Sequence, residues 1–420
     1  MNRTTLKGRL IAPDLFLPKQ GVDLEKWSVI ACDQYTSNPE YWHKLDDLVG
    51  DSPSTLRLIL PEAFLDQATT HVSQININMR QYLEQGILRP IGQGFILVDR
   101  MTAHGNHRLG LMMAVDLEDY DYHEGAQTLV RSTEQTIESR IPPRAIIRRQ
   151  APIELSHVML LVNDDTIGML EQWFKRKAEL PLLYDFKLNM EGGHIRGYHI
   201  KDVDAVINQF EMLIQNQEEP LLFIAGDGNH SLATAKAHWE AIKLHTTEIE
   251  QRDHPARHAL VEVVNLYDPG LQFEGIHRVI FDAPPGFESE LLSQLEGNQT
   301  TWMYRASSGK TEIAIPDNAP LAYEIVQAYI DRHLEENPAC EVDYIHGDQA
   351  LIDICNQHPK SLGIRMPALT KADLFPYIQA GKVLPIKSFS MGAATEKRYY
   401  LEAKAITRMA TDIIKKENES

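Results

Sequence analysis

Residues 221–240, LLFIAGDGNHSLATAKAHWE, constrain the fold most strongly, because a buried strand passes there directly into an amphipathic helix. The continuous apolar run at 221–225 predicts a strand that is covered on both faces. Leu232, Ala235, Trp239 and Ile242 recur every three or four residues and predict a helix with one apolar face. A strand that leads straight into a helix is typical of α/β proteins, so we predict a mixed α/β fold.

Strand and helix patterns alternate along the rest of the chain, without repeats or low-complexity segments. Residues 94–101 and 108–120 predict a hairpin, and residues 61–86, 203–217 and 321–338 predict amphipathic helices. A Gly-, Asn- and Ser-rich stretch before residue 320 marks a boundary. We therefore expect an N-terminal α/β region at 1–115, a core with the strand–glycine–helix stretch at 116–320, and a C-terminal subdomain at 321–420.

The charge balance limits the partners of the protein. Asp and Glu outnumber Lys and Arg by 59 to 41, which gives a net charge of −18 at pH 7. This charge repels phosphate backbones and anionic membranes, so we expect no nucleic-acid or membrane partner. The three cysteines lack metal or redox spacing and no long apolar run is present, which indicates a cytoplasmic protein. The oligomeric state is left open.

The loop inside the opening stretch concentrates polar groups at a helix N-terminus, where free amides and the helix dipole can bind an anion. Gly226 and Gly228 allow the backbone to approach that anion closely, and Asn229 contributes an amide. Asp227 can hold a magnesium ion or a substrate hydroxyl, and His230 can donate to a phosphoryl oxygen or transfer a proton. The alternative is that Asp227 and Asn229 cap the helix and that His230 is a satisfied core residue.

Four segments resemble, in order, the signatures of the bacterial family called domain of unknown function 1015. RSTEQTIESR at 131–140 resembles its His-Glu-x-Thr and Asp-Arg segment, and IAGDGNHSLATA at 224–235 resembles its Asp-Gly-His-His-Arg segment. VVNLYDPGLQFEGIHRVI at 263–280 is similar to the signature with Asn, Asp-Pro-Gly-Leu and Thr-His-Arg, and LPIKSFSMG at 384–392 is similar to Pro-Lys-Ser-Thr-x-Phe. Where the family has Arg after the His, this chain has Ser231, so a bidentate phosphate donor is missing.

The glycine loop is also similar, more distantly, to the phosphate-binding segment of the ParB and sulfiredoxin superfamily. That superfamily includes nucleotide-hydrolysing switches, sulfiredoxins and kinases of free serine. The resemblance implies a ParB/sulfiredoxin-like nucleotide-binding core with additional N- and C-terminal elements. It also implies a nucleotide, ATP or ADP, at the loop.

Cations in the matched segments are candidates to replace the missing arginine. They are Arg131, Arg140, Arg278 and Lys387, and each of them can instead be a solvated surface charge. His277 accompanies Arg278 in the same segment and is included with the nucleotide-binding residues.

Acidic and amide side chains in the matched segments complete the predicted site. Asn265 and Asp268 can contact a metal or a ribose, or can form a capped turn before Pro269. Glu134 is a candidate base, or else an acid in the first turn of a helix. Asp33 lies where the family has an Asp after Pro-Tyr, and its alternative role is in a turn.

The sequence features favour an enzyme, a nucleotide-dependent phosphotransferase that acts on a small hydroxylated metabolite. Free L-serine is the first candidate because the superfamily includes serine kinases. Asp227, His230 and Glu134 would be catalytic, and Asp227 with Asp268 would bind magnesium. The alternative is a nucleotide-binding or nucleotide-hydrolysing switch or scaffold without kinase activity, although a ParB-type switch should carry a basic DNA-binding region.

Overall fold

The computed structural model describes residues 5–36, 38–215 and 217–418, with side chains up to residue 414. Over these residues the chain forms twenty strands and thirteen α-helices, which confirms the predicted mixed α/β class. The strands are β1 (Leu10–Ile11), β2 (Asp14–Pro18), β3 (Leu88–Gln93), β4 (Phe95–Met101), β5 (His107–Asp116), β6 (Tyr120–Asp121), β7 (Val130–Ser132), β8 (Ile153–Leu155), β9 (Met159–Val162), β10 (Leu182–Leu188), β11 (Gly193–Ile200), β12 (Phe223–Asp227), β13 (His258–Asn265), β14 (Phe273–Phe281), β15 (Gln299–Arg305), β16 (Gly309–Ile315), β17 (Glu341–His346), β18 (Leu362–Ile364), β19 (Phe389–Met391) and β20 (Ala403–Ala405).

The helices are α1 (Leu24–Trp27), α2 (Pro39–Val49), α3 (Ala68–Glu84), α4 (Ile141–Arg148), α5 (Met169–Lys175), α6 (Val203–Ile214), α7 (Asn229–Lys243), α8 (Glu248–Arg252), α9 (Phe287–Leu292), α10 (Ala319–Glu336), α11 (Asp348–Gln357), α12 (Lys371–Gln379) and α13 (Arg408–Asn418). Short 3-10 helices join several of them, at Asp33–Tyr35, Thr55–Arg57, Glu62–Gln67, Leu117–Asp119, Glu138–Arg140, Lys177–Glu179, Pro255–Arg257 and Ala394–Glu396.

The largest sheet within the described residues has ten strands, in the order β10-β11-β4-β5-β13-β9-β12-β7-β6, with β1 beside β5. Strand β12 pairs antiparallel with β9 and parallel with β7. Parallel neighbours end at the same edge of a sheet. The residues that follow β7, from Thr133 onward, therefore lie beside the glycine loop that follows β12.

The ten-stranded sheet is covered on both faces. Leu160 and Phe223 belong to one hydrophobic core, whereas their chain neighbours Leu161 and Ile224 belong to a second core. Side chains alternate between the two faces of a strand, so these cores lie on opposite sides. The buried face of α7 packs into the first core, which confirms the helix predicted from the apolar spacing.

Two smaller sheets complete the architecture of the described residues. One has six strands, in the order β16-β15-β18-β14-β17 with β19 beside β14, and the other has four, in the order β3-β2-β20-β8. The four-stranded sheet joins Asp14–Pro18 to Ala403–Ala405, near opposite ends of the described chain. The division into three consecutive regions stays a prediction.

Most elements predicted from local patterns are present. The hairpin is formed by β4 and β5, the helix predicted at 203–217 is α6, and that predicted at 321–338 is α10. The predicted helix at 61–86 is a 3-10 segment followed by α3. The strand predicted at 221–225 begins two residues later and includes Gly226 and Asp227. Across the part of the chain that the structure describes, no helix is both long and apolar enough to cross a membrane.

Candidate functional site

A cleft of about 330 Å³ opens at the end of β12, and ten of the predicted site residues line it. They are Asp33, Glu134, Arg140, Gly226, Asp227, Gly228, Asn229, His230, Ser231 and Lys387. Residues from four separate parts of the sequence meet in this one cavity. The remaining predicted site residues, Arg131, Asn265, Asp268, His277 and Arg278, do not line it.

The N-terminus of α7 points its first amides at the cleft. Gly228 turns the chain from β12 into α7 with a φ of +81°, a left-handed conformation that favours glycine. No side chain among the described residues caps this helix. Asn229, His230 and Ser231 therefore retain N–H groups at the positive end of the helix dipole, where an anion is stabilised.

The side chains of the loop are used in other ways. Asp227 Oδ1 accepts from the neighbouring Gly228 N–H at 2.8 Å, and Asn229 Oδ1 accepts from the Ser132 hydroxyl at 2.7 Å. Neither bonds to an amide of the first helical turn, so the capping alternative is wrong. The bond to Ser132, the last residue of β7, joins the two parallel strand ends.

Asp227 faces a buried lysine. Lys397 Nζ lies 3.3 Å from Asp227 Oδ2 and donates to Ser390 Oγ at 3.1 Å. Burial disfavours the ammonium ion, but Asp227 and Asp33 outweigh it and raise the pKa of Lys397 above its usual range. Lys397 therefore keeps a positive charge inside the cleft.

His230 is neutral at physiological pH. Burial, followed by the charges of Arg144 and Arg140, lowers the pKa of its imidazole to about 4. Its Nε2 accepts from the Ile137 N–H at 3.2 Å, so the proton is on Nδ1. The ring can thus offer one N–H to a ligand oxygen, but it does not contribute a cation.

Glu134 organises the segment that carries Lys387. Its carboxylate accepts from the backbone N–H groups of Lys387, Ser388 and Phe389 at 3.2, 2.9 and 3.3 Å. Burial raises the pKa of Glu134, while these three donors act in the opposite direction. Glu134 does not lie in a helix, so the alternative of a first-turn helix acid is wrong.

Lys387 is held in an unusual backbone conformation. Its φ is +54°, which L side chains rarely adopt, and its ammonium group pairs with Asp33. Burial opposes ionisation of Asp33, but Lys387 and Lys397 together lower the pKa of that carboxyl group. A strained backbone held by specific bonds is common at functional sites.

The two other arginine candidates are structural, and neither is a solvated surface charge. Arg131 is 2% exposed and donates to the carbonyls of Thr128 and Ile378. Arg278 is fully buried and donates to the carbonyls of Ile276, Ile386 and Lys387. Arg278 thereby holds the backbone of Ile386 and Lys387 in place.

Asn265, Asp268 and His277 also make internal bonds. Asp268 accepts from the N–H groups of Gly270 and Leu109 at 2.8 and 2.9 Å, which fits the turn alternative. Asn265 donates to the Asp164 carbonyl at 2.8 Å and accepts from Tyr267. His277 is 5% exposed and bonds to Asp348 and to the N–H of Met366.

Several cleft residues were not predicted from the sequence. They are Lys397, Arg144, Arg148, Glu62, His157, Tyr400 and His346. The spacing of Arg144 and Arg148, four and eight residues after Arg140, is a signal that could have identified those two. Cys32 also lines the cleft, but burial raises the pKa of its thiol to about 12, which makes it a poor nucleophile.

The predicted magnesium site with two carboxylates is not assembled, because Asp227 lines the cleft and Asp268 does not. Within the described residues, no three His, Cys, Asp or Glu side chains form a group suited to a metal ion. Magnesium in nucleotide sites is often held by one or two carboxylates and by substrate phosphates, so Asp227 alone remains compatible with such an ion.

Comparison with protein families gives one match over nearly the whole chain. The family described as "Protein of unknown function (DUF1015)" matches residues 16–410. No curated protein matches the chain.

Solved structures resemble the chain only weakly. A conserved hypothetical protein from Pyrococcus furiosus is 11% identical, with 72% of this chain and 97% of that chain covered and a TM-score of 0.37. A mutant free serine kinase in complex with ADP is 9% identical, with 71% and 93% covered and a TM-score of 0.39. SbnI with a C-terminal truncation, from Staphylococcus aureus, is 8% identical, with 73% and 94% covered and a TM-score of 0.40.

Proposed function

The chain belongs to the DUF1015 family of proteins of unknown function, and we propose that it is a nucleotide-dependent phosphotransferase for a small hydroxylated metabolite. The observation that carries the proposal is the uncapped N-terminus of α7, which opens into a cleft lined by Lys387, Lys397, Arg140 and Arg144. The free amides favour an anionic ligand, and the four cations, although paired with Asp33, Asp227 and Glu62, can also contact its oxygens.

The nucleotide-binding residues follow from that geometry. The amides of Asn229, His230 and Ser231 bind phosphate oxygens. A Cβ at Gly226 would meet Met391 and one at Gly228 would meet Val158, so these two glycines allow close packing of the loop and not the approach of the anion that the sequence predicted. Ser231 stands where the family has an arginine, and Arg140, together with Arg144, supplies the guanidinium group that is missing there. Lys387, which also lines the cleft, neutralises phosphate charge.

The reaction is transfer of the terminal phosphoryl group of ATP or ADP to a hydroxyl oxygen of the acceptor. A P–O bond to the acceptor forms, the bridging P–O bond of the nucleotide breaks, and the nucleotide leaves one phosphate shorter. Asp227 accepts the hydroxyl proton, and the Nδ1–H of His230 stabilises the transferred group. Glu134 holds the Lys387 segment in place instead of acting as the base. A magnesium ion, where present, would bind Asp227 and neutralise phosphate charge.

The test is to incubate the protein with ATP or ADP, magnesium, and a panel of hydroxy amino acids, hydroxy acids and sugars. Mass spectrometry should detect a phosphorylated acceptor, and free L-serine is the first compound in the panel. Asp227→Asn should lower turnover at least about a hundredfold, since general base catalysis contributes 10²–10⁴. Exposed Asp165→Asn provides the control.

Calorimetry with nucleotide alone distinguishes this proposal from its alternative. Firm nucleotide binding without product from any acceptor would indicate a switch or scaffold. Absence of nucleotide binding would contradict both functions.

A further inference from the structure

A row of arginines follows α4 along one wall of the cleft. Arg140, Arg144 and Arg148 succeed one another at intervals of four residues, and all three line the cavity. Residues four apart share a helix face, so the row extends about 12 Å into the cleft. Arg140 and Arg144 line the cleft together with the glycine loop, and their charges lower the pKa of His230. The side chain of Arg140 is 43% exposed and that of Arg148 is 13% exposed, so Arg148 lies at the more buried end of the row.

Positive charge exceeds negative charge at the end of this row that Arg140 and Arg144 form. Arg140 and Arg144 share one carboxylate, that of Glu62, at 3.8 and 3.0 Å. Arg148 and Lys404 share the carboxylate of Glu154, at 2.6 and 3.3 Å. Lys404 also interacts with the carboxylate of Asp14, so the charges around Arg148 balance and the excess of one positive charge lies at Arg140 and Arg144.

Arg148 has a free bidentate edge. Its Nη1 pairs with Glu154, while its Nε and Nη2 atoms have no hydrogen-bond partner among the described residues and are closed to solvent, so a ligand reaches them only when the side chain turns toward the cleft. Nε and Nη2 form the edge of the guanidinium that receives both oxygens of a carboxylate. The chain uses the same two atoms for carboxylates elsewhere, in Arg257 with Asp116 and in Arg9 with Asp119.

The surroundings of Arg148 favour an organic ligand over an inorganic ion. Ile147 and Leu155, which adjoin Arg148 and Glu154 in the sequence, line the cleft, as does Leu260, whose N–H donates to Glu154 at 2.9 Å. Apolar walls lower the local dielectric and strengthen a charge-assisted hydrogen bond. They also provide contacts for carbon atoms attached to the charged group.

We propose that the free edge of Arg148 binds the carboxylate of a small organic acid. The acceptor of the phosphotransferase is then a hydroxy acid or hydroxy amino acid, and not a sugar or a polyol. The identification of this acid as the acceptor rests on the proposed function. Recognition of the carboxylate rests on the arginine itself and can be measured without nucleotide.

The experiment compares acids with their uncharged amides by isothermal titration calorimetry. The probes are L-serine with L-serinamide and glycolate with glycolamide, each titrated with and without ATP and magnesium. The variant is Arg148→Lys, which retains the charge but loses the bidentate edge. The control is Arg149→Lys, since Arg149 is the exposed neighbour on the same helix end. Circular dichroism checks that both variants are folded.

We expect at least one acid to bind the wild type on the order of tenfold to a hundredfold more tightly than its amide, the range for hydrogen bonds to charged groups. Arg148→Lys should remove most of this difference, and Arg149→Lys should leave it unchanged. Equal affinity for acid and amide in the wild type, or no binding of any acid, would overturn the inference.

Two further outcomes separate this inference from the proposed function. If Arg148→Lys weakens nucleotide binding and leaves the acid–amide difference intact, Arg148 serves the nucleotide and the carboxylate assignment is wrong. If acids bind through Arg148 but no phosphorylated product forms, the carboxylate site stands and the phosphotransferase does not.

Discussion

Gly228 has a left-handed backbone conformation and also adjoins the amides that are proposed to bind phosphate. Its φ is +81°, and a Cβ there would lie 3.0 Å from Val158 Cγ2 and 3.4 Å from His157 Nε2. The adjoining amides of α7 are those proposed to bind phosphate. A substitution of Gly228 is therefore expected to change both the backbone strain and the binding of an anion.

We predict that Gly228→Ala lowers both the stability of the fold and its affinity for nucleotide. A left-handed alanine costs about 1–2 kcal/mol of unfolding free energy. Gly309→Ala is the matched control, since Gly309, the first residue of β16, has a φ of +76° and open space around its Cβ position. Urea denaturation should report a loss in both variants, whereas calorimetry should report weaker nucleotide binding only in Gly228→Ala. Unchanged affinity in Gly228→Ala would contradict the phosphate site.

Residue identity alone did not reveal which charges face the ligand. Arg131 and Arg278 have the same side chain as Arg140 and belong to segments of the same resemblance. Yet they are buried against backbone carbonyls. Their partners, such as Ile378 and Lys387, are about 110 to 250 residues away in the sequence. No local pattern contains that information, whereas the glycine loop could be interpreted locally because its strand, turn and helix are contiguous.

At the level of secondary structure, the cleft depends on the meeting of two parallel strand ends. Strands β7 and β12 end side by side, and the residue after Thr133, Glu134, pairs with Leu384. This pairing brings the Lys387 segment to the same cleft as the N-terminus of α7. The sequence predicted β12 and α7 from their apolar spacing, but it did not predict β7, which has three residues. A strand that short carries too little periodicity to be recognised.

We predict that Glu134→Gln loosens the 387–389 segment without unfolding the protein. The glutamine amide presents one donor group to three N–H donors, so at least one of their bonds is lost. Hydrogen exchange should be faster at residues 387–389, and the Michaelis constant for nucleotide should rise. Exposed Glu138→Gln is the control. Equal exchange rates in the two variants would show that the carboxylate does not hold this segment.

For the whole molecule, acid stability depends on histidines that are partly or fully buried in the neutral state. Burial is the largest cause that lowers the pKa of His230, His238, His258 and His277 to about 4. Below about pH 6.5 the unfolded chain takes up protons that the folded chain does not accept. These residues therefore contribute full stability above that pH and progressively lose it as the pH falls towards 4.

We predict a steep fall in the free energy of unfolding between pH 6.5 and pH 4.5, up to about 1 kcal/mol per histidine for each pH unit. Urea denaturation across this range measures the slope. His238→Gln should make the slope shallower, because one of the titrating groups is removed. A free energy of unfolding that stays constant from pH 7 to pH 5 would contradict the neutral, buried state of these side chains.

The four-stranded sheet that pairs Asp14–Pro18 with Ala403–Ala405 also affects how the protein is made. A nascent chain that has reached Glu336 already contains the glycine loop and α7, but neither Lys387 nor Lys397. Closing contacts over such long separations is entropically expensive and slow. The ribosome therefore releases the glycine loop and α7 long before Lys387 and Lys397. The cleft is completed only after residues 384–405 have been synthesised.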